Sequence, residues 1–194
     1  MELIFASNNA NKIFEARHII KNSFTLITLQ DAGIEIDIPE PHNTLEENAT
    51  EKSSVIFKLT GKDCFGEDTG LEVDILNGEP GVLSARYAGE NKSATKNIEK
   101  LLFKLKDKEN REAKFRTVLS LIVKGKEYMF EGICRGTIIT NPTGMSGFGY
   151  DAVFKPSGSN KTLAEMDINE KNKFSHRRHA LEKMIGFLNF SLKK

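Results

Sequence analysis

The stretch 64–89 reads CFGEDTGLEVDILNGEPGVLSARYAG, and the rest of the chain is predicted to fold around it. Two adjacent acids, Glu67 and Asp68, are followed by a threonine, a glycine and the alternating run Leu71–Ile75. The alternation predicts a half-buried strand, so we expect Asp68 to lie between two extended runs. Neighbouring side chains in an extended chain point to opposite faces, so the two acids need not share a role. A carboxylate in this setting suits a hard cation such as Mg²⁺, although an acidic turn capping a strand is equally compatible.

Composition limits the function classes. The chain has 194 residues, 39% of them hydrophobic and 28% charged, which predicts one domain over 1–194 with room for two lobes. The net charge of +1 gives no chain-wide positive field that would attract nucleic acid. Met1–Phe5 is too short for a secretory signal, and no apolar run reaches membrane-spanning length. Two cysteines without C-x-x-C spacing favour a reducing compartment, so we expect a cytoplasmic protein with no membrane partner.

The N-terminal segment predicts an anion-binding turn. A short apolar run at Leu3–Ala6 indicates a buried strand, and apolar residues at helical spacing begin at Ile13. The connecting loop consists of Ser7, Asn8, Asn9, Ala10, Asn11 and Lys12. A helix N-terminus presents unpaired N–H groups and favours phosphate, and Lys12 adds a cation there. The polar residues are also explained if they act only as helix N-caps.

A second helix is predicted from Thr44 to about Leu59. Thr44 and Glu47 have the spacing of a capping box, and small or apolar residues recur every three to four positions after it. Lys52 stands among these apolar positions, where it either meets an anion or extends its aliphatic stem over the edge of the core.

The C-terminal half contains a predicted hairpin and a glycine-rich loop. Strand-forming residues over 113–123 and 127–139 flank a turn at Lys124-Gly125-Lys126, and a helix is predicted from about Ser93 to Leu105. Glycines on both sides of Phe148 allow the ring to project and stack on a nucleobase, at roughly 1–3 kcal/mol per base. The same residues also fit an aromatic turn in the core. Arg86, which precedes Tyr87, is a candidate for contact with an anion.

The segment 169–178 places cations ahead of a final helix. That helix is predicted to bury its apolar side chains at Ala180, Leu181, Met184, Ile185 and Leu188. Cations at a helix N-terminus oppose the dipole, and such a conflict is expected where function overrides stability. A charged surface helix would show the same pattern.

Taken in order, these motifs resemble one family, the inosine-triphosphate pyrophosphatases, over nearly the whole chain. The first motif, Ser7-x-Asn-x-x-Lys12, is similar to the segment with which the family grips the triphosphate. Asp68-Thr69-Gly70-Leu71 resembles its D-S/T-G-L motif, and Ile38-Pro39-Glu40 resembles a metal-site acid of some members. The nucleobase elements of the family are matched by Phe148, Gly149, Tyr150 and Asp151 and by Lys171, Ser175, His176 and Arg177. Glu67, Ala152 and Ser7 depart from residues that are more common in the family.

The resemblance implies an α/β fold with a long, mixed, twisted sheet and flanking helices, arranged as two lobes around a central nucleotide-binding cleft. It also implies a homodimer and Mg²⁺-dependent hydrolysis of ITP, dITP or XTP to the monophosphate and pyrophosphate. By the same resemblance Asp68 is a metal ligand and the base, and Glu40 is a second metal ligand. Lys52 binds phosphate, and Thr69 belongs to the substrate-binding motif.

The hydrogen-bonding chemistry of the predicted base site favours 6-oxopurines. Lysine and arginine only donate hydrogen bonds, so Lys171 and Arg177 match a 6-oxo acceptor and not the 6-amino group of adenine. Two other functions are compatible with the sequence. One is a pyrophosphatase for standard or pyrimidine nucleotides, and the other is a non-catalytic nucleotide- or RNA-binding module that uses Phe148 and the basic segment.

Overall fold

The computed structural model describes residues 1–191, which form seven strands and five helices, with three 3₁₀ turns in the segments that connect them. The strands are β1 (Glu2–Phe5), β2 (Thr25–Thr28), β3 (Cys64–Val73), β4 (Pro80–Gly81), β5 (Glu112–Val123), β6 (Lys126–Ile138) and β7 (Phe154–Pro156). The helices are α1 (Ala10–Ile20), α2 (Leu45–Thr60), α3 (Ala94–Lys104), α4 (Ile168–Asn172) and α5 (His176–Ser191). None of the described helices combines the length and the apolar character needed to span a bilayer.

The strands form one mixed sheet in the order β2-β1-β3-β5-β6-β7, with β4 paired to β3. β1 runs parallel to β2, with Leu3 opposite Leu26, and parallel to β3, with Ile4 opposite Cys64. β4 is antiparallel to β3, and β7 is antiparallel to β6. The predicted α/β class with a mixed sheet and flanking helices is therefore confirmed.

The stretch around Asp68 differs from its prediction in one respect. The two extended runs are a single strand, β3, which carries Asp68 in its interior. The strand also ends at Val73, before the predicted end at Ile75, because Asp74–Leu76 turns into a 3₁₀ helix. Ile75 is 41% exposed as a result, so the alternation of apolar residues at this end did not mark a buried face.

Local sequence signals place the helix ends and the hairpin correctly. Thr44 caps α2 by accepting a hydrogen bond from the Glu47 amide, and Gly61 ends the helix with a left-handed φ of 65°. The β5–β6 turn has positive φ at both central residues, Lys124 (49°) and Gly125 (73°), as tight hairpin turns require. The third helix, capped by Ser93, is likewise confirmed.

The chain divides into two compact units. The first contains Met1–Asp68, Thr117–Gly132 and the described residues from Arg177 onward; the second contains Thr69–Arg116 and Ile133–His176. Each unit has its own apolar core, and the predicted inward residues of α5 pack in the core of the first. The grouping of 1–194 as one domain and the nucleotide cleft stay predictions.

Candidate active site

The carboxylate of Asp68 is held on both of its oxygens. Asp68 is 5% exposed on β3, its Oδ1 lies 2.9 Å from the Lys52 ammonium, and its Oδ2 accepts a 3.4 Å contact from the Asn48 amide. Lys52 and Asn48 are one turn apart on α2, so one helix face supplies both partners. The orientation of the carboxylate is therefore set by a helix that packs on its strand.

Lys52 is the centre of this group of charges. Its Nζ lies 2.5 Å from Oε1 of Glu40 and donates a 3.0 Å hydrogen bond to the backbone carbonyl of Glu67. Burial opposes the charged form, but the carboxylates of Asp68 and Glu40 outweigh it and raise the pKa of Lys52 above its ordinary value. Lys52 is thus a cation at every physiological pH.

Glu40 and Asp68 are suited to a hard divalent cation. Both direct carboxylate oxygens to the same point, the Lys52 ammonium. Residues 1–191 contain no cluster of three or more His, Cys, Asp or Glu side chains arranged to hold a metal ion. Mg²⁺ commonly takes only one or two protein carboxylates and completes its shell with substrate phosphates and water. The donor set therefore fits Mg²⁺ bound together with a phosphorylated substrate.

Glu67 serves a different partner from its neighbour, as expected for the opposite face of a strand. Its carboxylate accepts hydrogen bonds from Nε and Nη2 of Arg177, the shortest at 2.8 Å, and lies 3.4 Å from the ammonium of Lys12. Arg177 also donates through Nη1 to Glu15 on α1. These four side chains form an ionic network in which Glu15, Glu67 and Arg177 are buried, and Arg177 is only 1% exposed.

The network affects its two cations differently. Burial opposes the charge of Arg177, but Glu67 and Glu15 outweigh it and raise the guanidinium pKa. Burial lowers the pKa of Lys12, although Glu67 acts in the opposite direction. The Lys12 side chain remains 15% exposed. The Arg177 side chain is thus engaged by carboxylates, and its role in reading a base stays a prediction.

The loop before α1 is ordered by its own side chains. The Ser7 hydroxyl accepts from the Asn9 amide (3.2 Å), and the Asn9 side chain caps α1 by accepting from the Lys12 amide (3.1 Å). Asn8 donates from Nδ2 to the carbonyl of Ile36 at 2.8 Å. The helix begins earlier than predicted, at Ala10, so Asn11 and Lys12 lie in its first turn. Phosphate binding by this segment stays a prediction.

In the second unit, Asp151 organises the predicted nucleobase loop. Its Oδ2 accepts a 2.8 Å hydrogen bond from the Phe148 backbone amide and a 2.6 Å hydrogen bond from the Lys171 ammonium. That ammonium also lies 5.1 Å from the centre of the Phe148 ring, which is a cation–π distance. The structure therefore brings together three residues that the sequence placed in two separate motifs.

Half of the remaining predicted residues of this unit are buried. The Tyr150 hydroxyl donates to the carbonyl of Ser84, and the His176 ring stacks on Phe115 at 4.8 Å between centroids. Ser175 is buried, whereas three other predicted residues are partly exposed: Thr69, Arg86 and Gly149. Their substrate contacts stay predictions.

Three residues of the site were missed by sequence reasoning. Asn48 lies in the helical pattern of α2 without a distinguishing signal, and Glu15 looks like an ordinary polar residue of α1. Gly66 precedes the two acids; a Cβ there would lie 2.8 Å from the Lys52 Cβ and from the Ser53 amide nitrogen. Only this closeness of α2 to β3 explains why Gly66 is glycine.

Fold and site together define an α/β protein with paired acids and lysines in one unit and a lysine-bearing aromatic loop in the other. The charged groups of the first unit suit phosphate and its metal ion, and the aromatic loop of the second suits a planar ring. The chain belongs to the Ham1 family, which matches residues 3–187. The resemblance found from the sequence is thereby confirmed.

Individual relatives agree over nearly the full length. The dITP/XTP pyrophosphatase of Flavobacterium johnsoniae is 48% identical, with 97% of this chain and 98% of the relative covered. The dITP/XTP pyrophosphatase of Flavobacterium psychrophilum is 47% identical, with 96% of this chain and 98% of the relative covered. The Staphylococcus aureus Ham1 protein, whose structure has been solved, is 40% identical in sequence and superposes with a TM-score of 0.89. The match covers 98% of this chain and 100% of that chain.

Proposed function

We propose that this chain hydrolyses nucleoside triphosphates with non-standard purine bases, namely ITP, dITP and XTP, to the monophosphate and pyrophosphate. The observation that carries the proposal is the Asp68–Lys52–Glu40 group on β3, the adjoining loop and α2. Two relatives named dITP/XTP pyrophosphatase, which are 47–48% identical over almost the whole chain, support it.

The cations of the first unit are assigned to the triphosphate. Lys52 is charged and buried, and Lys12 extends from the first turn of α1, where the helix dipole also favours anions. Breaking the bond between the α- and β-phosphates places negative charge on the departing pyrophosphate. Fixed cations in a poorly hydrated site stabilise that charge more strongly in the transition state than in the ground state.

Asp68 is assigned to the attacking water. Its carboxylate is buried, and Lys52 and Asn48 prevent it from rotating, so it can orient a water molecule or accept its proton in a defined direction. Glu40 and Asp68 are proposed to hold Mg²⁺, which neutralises phosphate charge when bound.

The second unit is assigned to the base. Phe148 supplies an aromatic face, and Lys171 is held beside it by Asp151. A lysine donates hydrogen bonds only, so it favours a 6-oxopurine over adenine. Sites that depend on one specific hydrogen bond can reject a ligand lacking it by roughly 10⁴–10⁵-fold.

Pyrophosphate release from ITP, dITP, XTP, GTP, ATP and dTTP, each with Mg²⁺, tests the proposal. Asp68→Asn should fold normally and lose at least roughly 100-fold in kcat, the lower end of what a positioned general base contributes. Asp31→Asn is the matched control, because Asp31 is an exposed acid bonded to the Thr28 amide and should keep full activity. A folded Asp68→Asn enzyme with substantial activity would remove Asp68 from the mechanism.

The same panel separates the alternatives. Efficient turnover of ATP or dTTP would indicate a pyrophosphatase for standard or pyrimidine nucleotides. Salt-sensitive retention of RNA without turnover would indicate a binding module. A homodimer and a cytoplasmic location belong to the proposal as well, and the elution volume of the purified protein, compared with its mass of 21.7 kDa, tests the first of these.

A further inference from the structure

We propose that Asn48 is a positioning residue that fastens the catalytic carboxylate of Asp68 to the loop carrying Glu40. The inference rests on the function proposed above and extends it to a residue that touches neither phosphate nor base in that assignment. Asn48 is the fourth residue of α2 and is fully buried.

The Asn48 amide makes contacts in two directions. Its Oδ1 accepts a 3.0 Å hydrogen bond from the His42 backbone amide, and its Nδ2 donates a 3.2 Å hydrogen bond to the His42 carbonyl. The same Nδ2 lies 3.4 Å from Oδ2 of Asp68. Because the backbone N–H of His42 requires an acceptor, the orientation of the amide group is determined, and the NH₂ end must face the carboxylate.

The loop that carries Glu40 is connected to Asp68 by two separate routes. Glu40 is two residues from His42, and its carboxylate reaches Lys52, which also contacts Asp68. The loop is thus joined to Asp68 twice, through Lys52 by side-chain charge and through Asn48 by its backbone. Loss of Asn48 would remove the connection through the loop backbone and leave the one through the Lys52 side chain, so the separation of the two carboxylates would vary more.

A second buried asparagine shows what is particular to this one. Asn97 on α3 clamps a loop in the other unit through the same kinds of bond, to the Ala88 amide and to the carbonyls of Ser84 and Ala85. All of these partners are backbone groups. At Asn48 one partner is instead the carboxylate that the mechanism uses.

The experiment compares Asn48→Ala with Ser53→Ala. Ser53 lies on the same helix, is equally buried and loses a side-chain hydrogen bond, to Ser120, but it contacts neither carboxylate. Asn48→Ala should lower kcat or raise the Mg²⁺ concentration for half-maximal rate by roughly 10–100-fold, as removing a partner of a metal-binding carboxylate does. Ser53→Ala should leave kcat and the half-maximal Mg²⁺ concentration within about 2-fold of the parent values, because the hydrogen bond that it loses lies outside the site.

A second readout does not depend on turnover. Deuterium uptake of the peptide containing residues 39–43 should rise in Asn48→Ala, which removes the acceptor of the His42 amide, and should not change in Ser53→Ala. Asn48→Asp is nearly isosteric and keeps that acceptor, yet it turns an oxygen toward Asp68. It should therefore retain most of the protection of the loop while losing at least as much kcat as Asn48→Ala.

The outcomes distinguish the two proposals. If the parent enzyme releases no pyrophosphate from any substrate, the proposed function fails, and the deuterium-uptake comparison still decides whether Asn48 fastens the loop. If the parent is active but Asn48→Ala matches Ser53→Ala in kcat and Mg²⁺ dependence, Asn48 only packs and the inference is wrong. Should Asn48→Ala not fold, an Asn48→Asp variant as active as the parent would overturn it equally.

Discussion

Replacing Gly66 with alanine should displace α2 and thereby impair both stability and catalysis. The added Cβ would lie 2.8 Å from the Lys52 Cβ and the Ser53 amide, and closer still to the carbonyl of Ala49. Ordinary contact begins at 3.4 Å, so relieving the contact with the Ala49 carbonyl requires the helix to retreat by about 1 Å in a core that packs at crystal density. Such overpacking typically costs about 1–3 kcal/mol, which corresponds to a Tm lower by roughly 2–12 °C for a chain of this size.

The same retreat carries Lys52 away from Asp68, which is two residues from Gly66 on β3. Misplacement of catalytic groups by about 1 Å can lower rates by about 100-fold, so we expect a 10- to 100-fold loss of kcat on dITP in protein that is still folded. Thermal melting and turnover, measured at a temperature well below both melting points, check the two effects separately.

Gly186→Ala is the matched control for this substitution. Gly186 lies inside α5, and a Cβ there meets nothing within 4 Å. The same chemical change should therefore stabilise the protein by about 0.5–1 kcal/mol and leave kcat unchanged. If Gly66→Ala melted and turned over like the parent, α2 would not pack closely on β3 at Gly66, and this packing would not position Lys52.

Three further predictions concern the charged and aromatic side chains. Because burial lowers the pKa of Lys12, it should lose its proton at a pH below the ordinary lysine value; KM for dITP should then rise on the alkaline side, and Lys12→Arg should abolish that rise. Arg177→Gln removes the guanidinium that binds both Glu67 and Glu15 in the core and leaves Glu67 with the 3.4 Å contact to Lys12. We expect a loss of about 3–5 kcal/mol, which a melting curve would show as a Tm lower by roughly 6–20 °C; an unchanged Tm would refute the network. Phe148→Ala should raise KM for ITP by roughly 5- to 150-fold, from about 1–3 kcal/mol of lost stacking, with little change in Tm; an unchanged KM would place the base elsewhere.

Much of the fold follows from signals within a few residues. The Thr44 capping box, the Lys124-Gly125 turn and the apolar face of α5 were all predicted, because caps, turns and helix faces depend on near neighbours in the chain. The end of β3 was predicted less well. The alternation through Ile75 looked like a strand, but the chain turns at Asp74, where pairing with β4 has already ended.

The sequence by itself determined the residue types of the site, the order of its motifs and the family to which they belong. Only the tertiary structure decided which acid pairs with which cation. Arg177 meets Glu67 across 110 positions of sequence, whereas the adjacent Asp68 meets Lys52. Neighbours on a strand face opposite ways, and the helices packed on each face supply different partners. No spacing along the chain encodes that choice, because it arises only when α2 and α5 pack against β3.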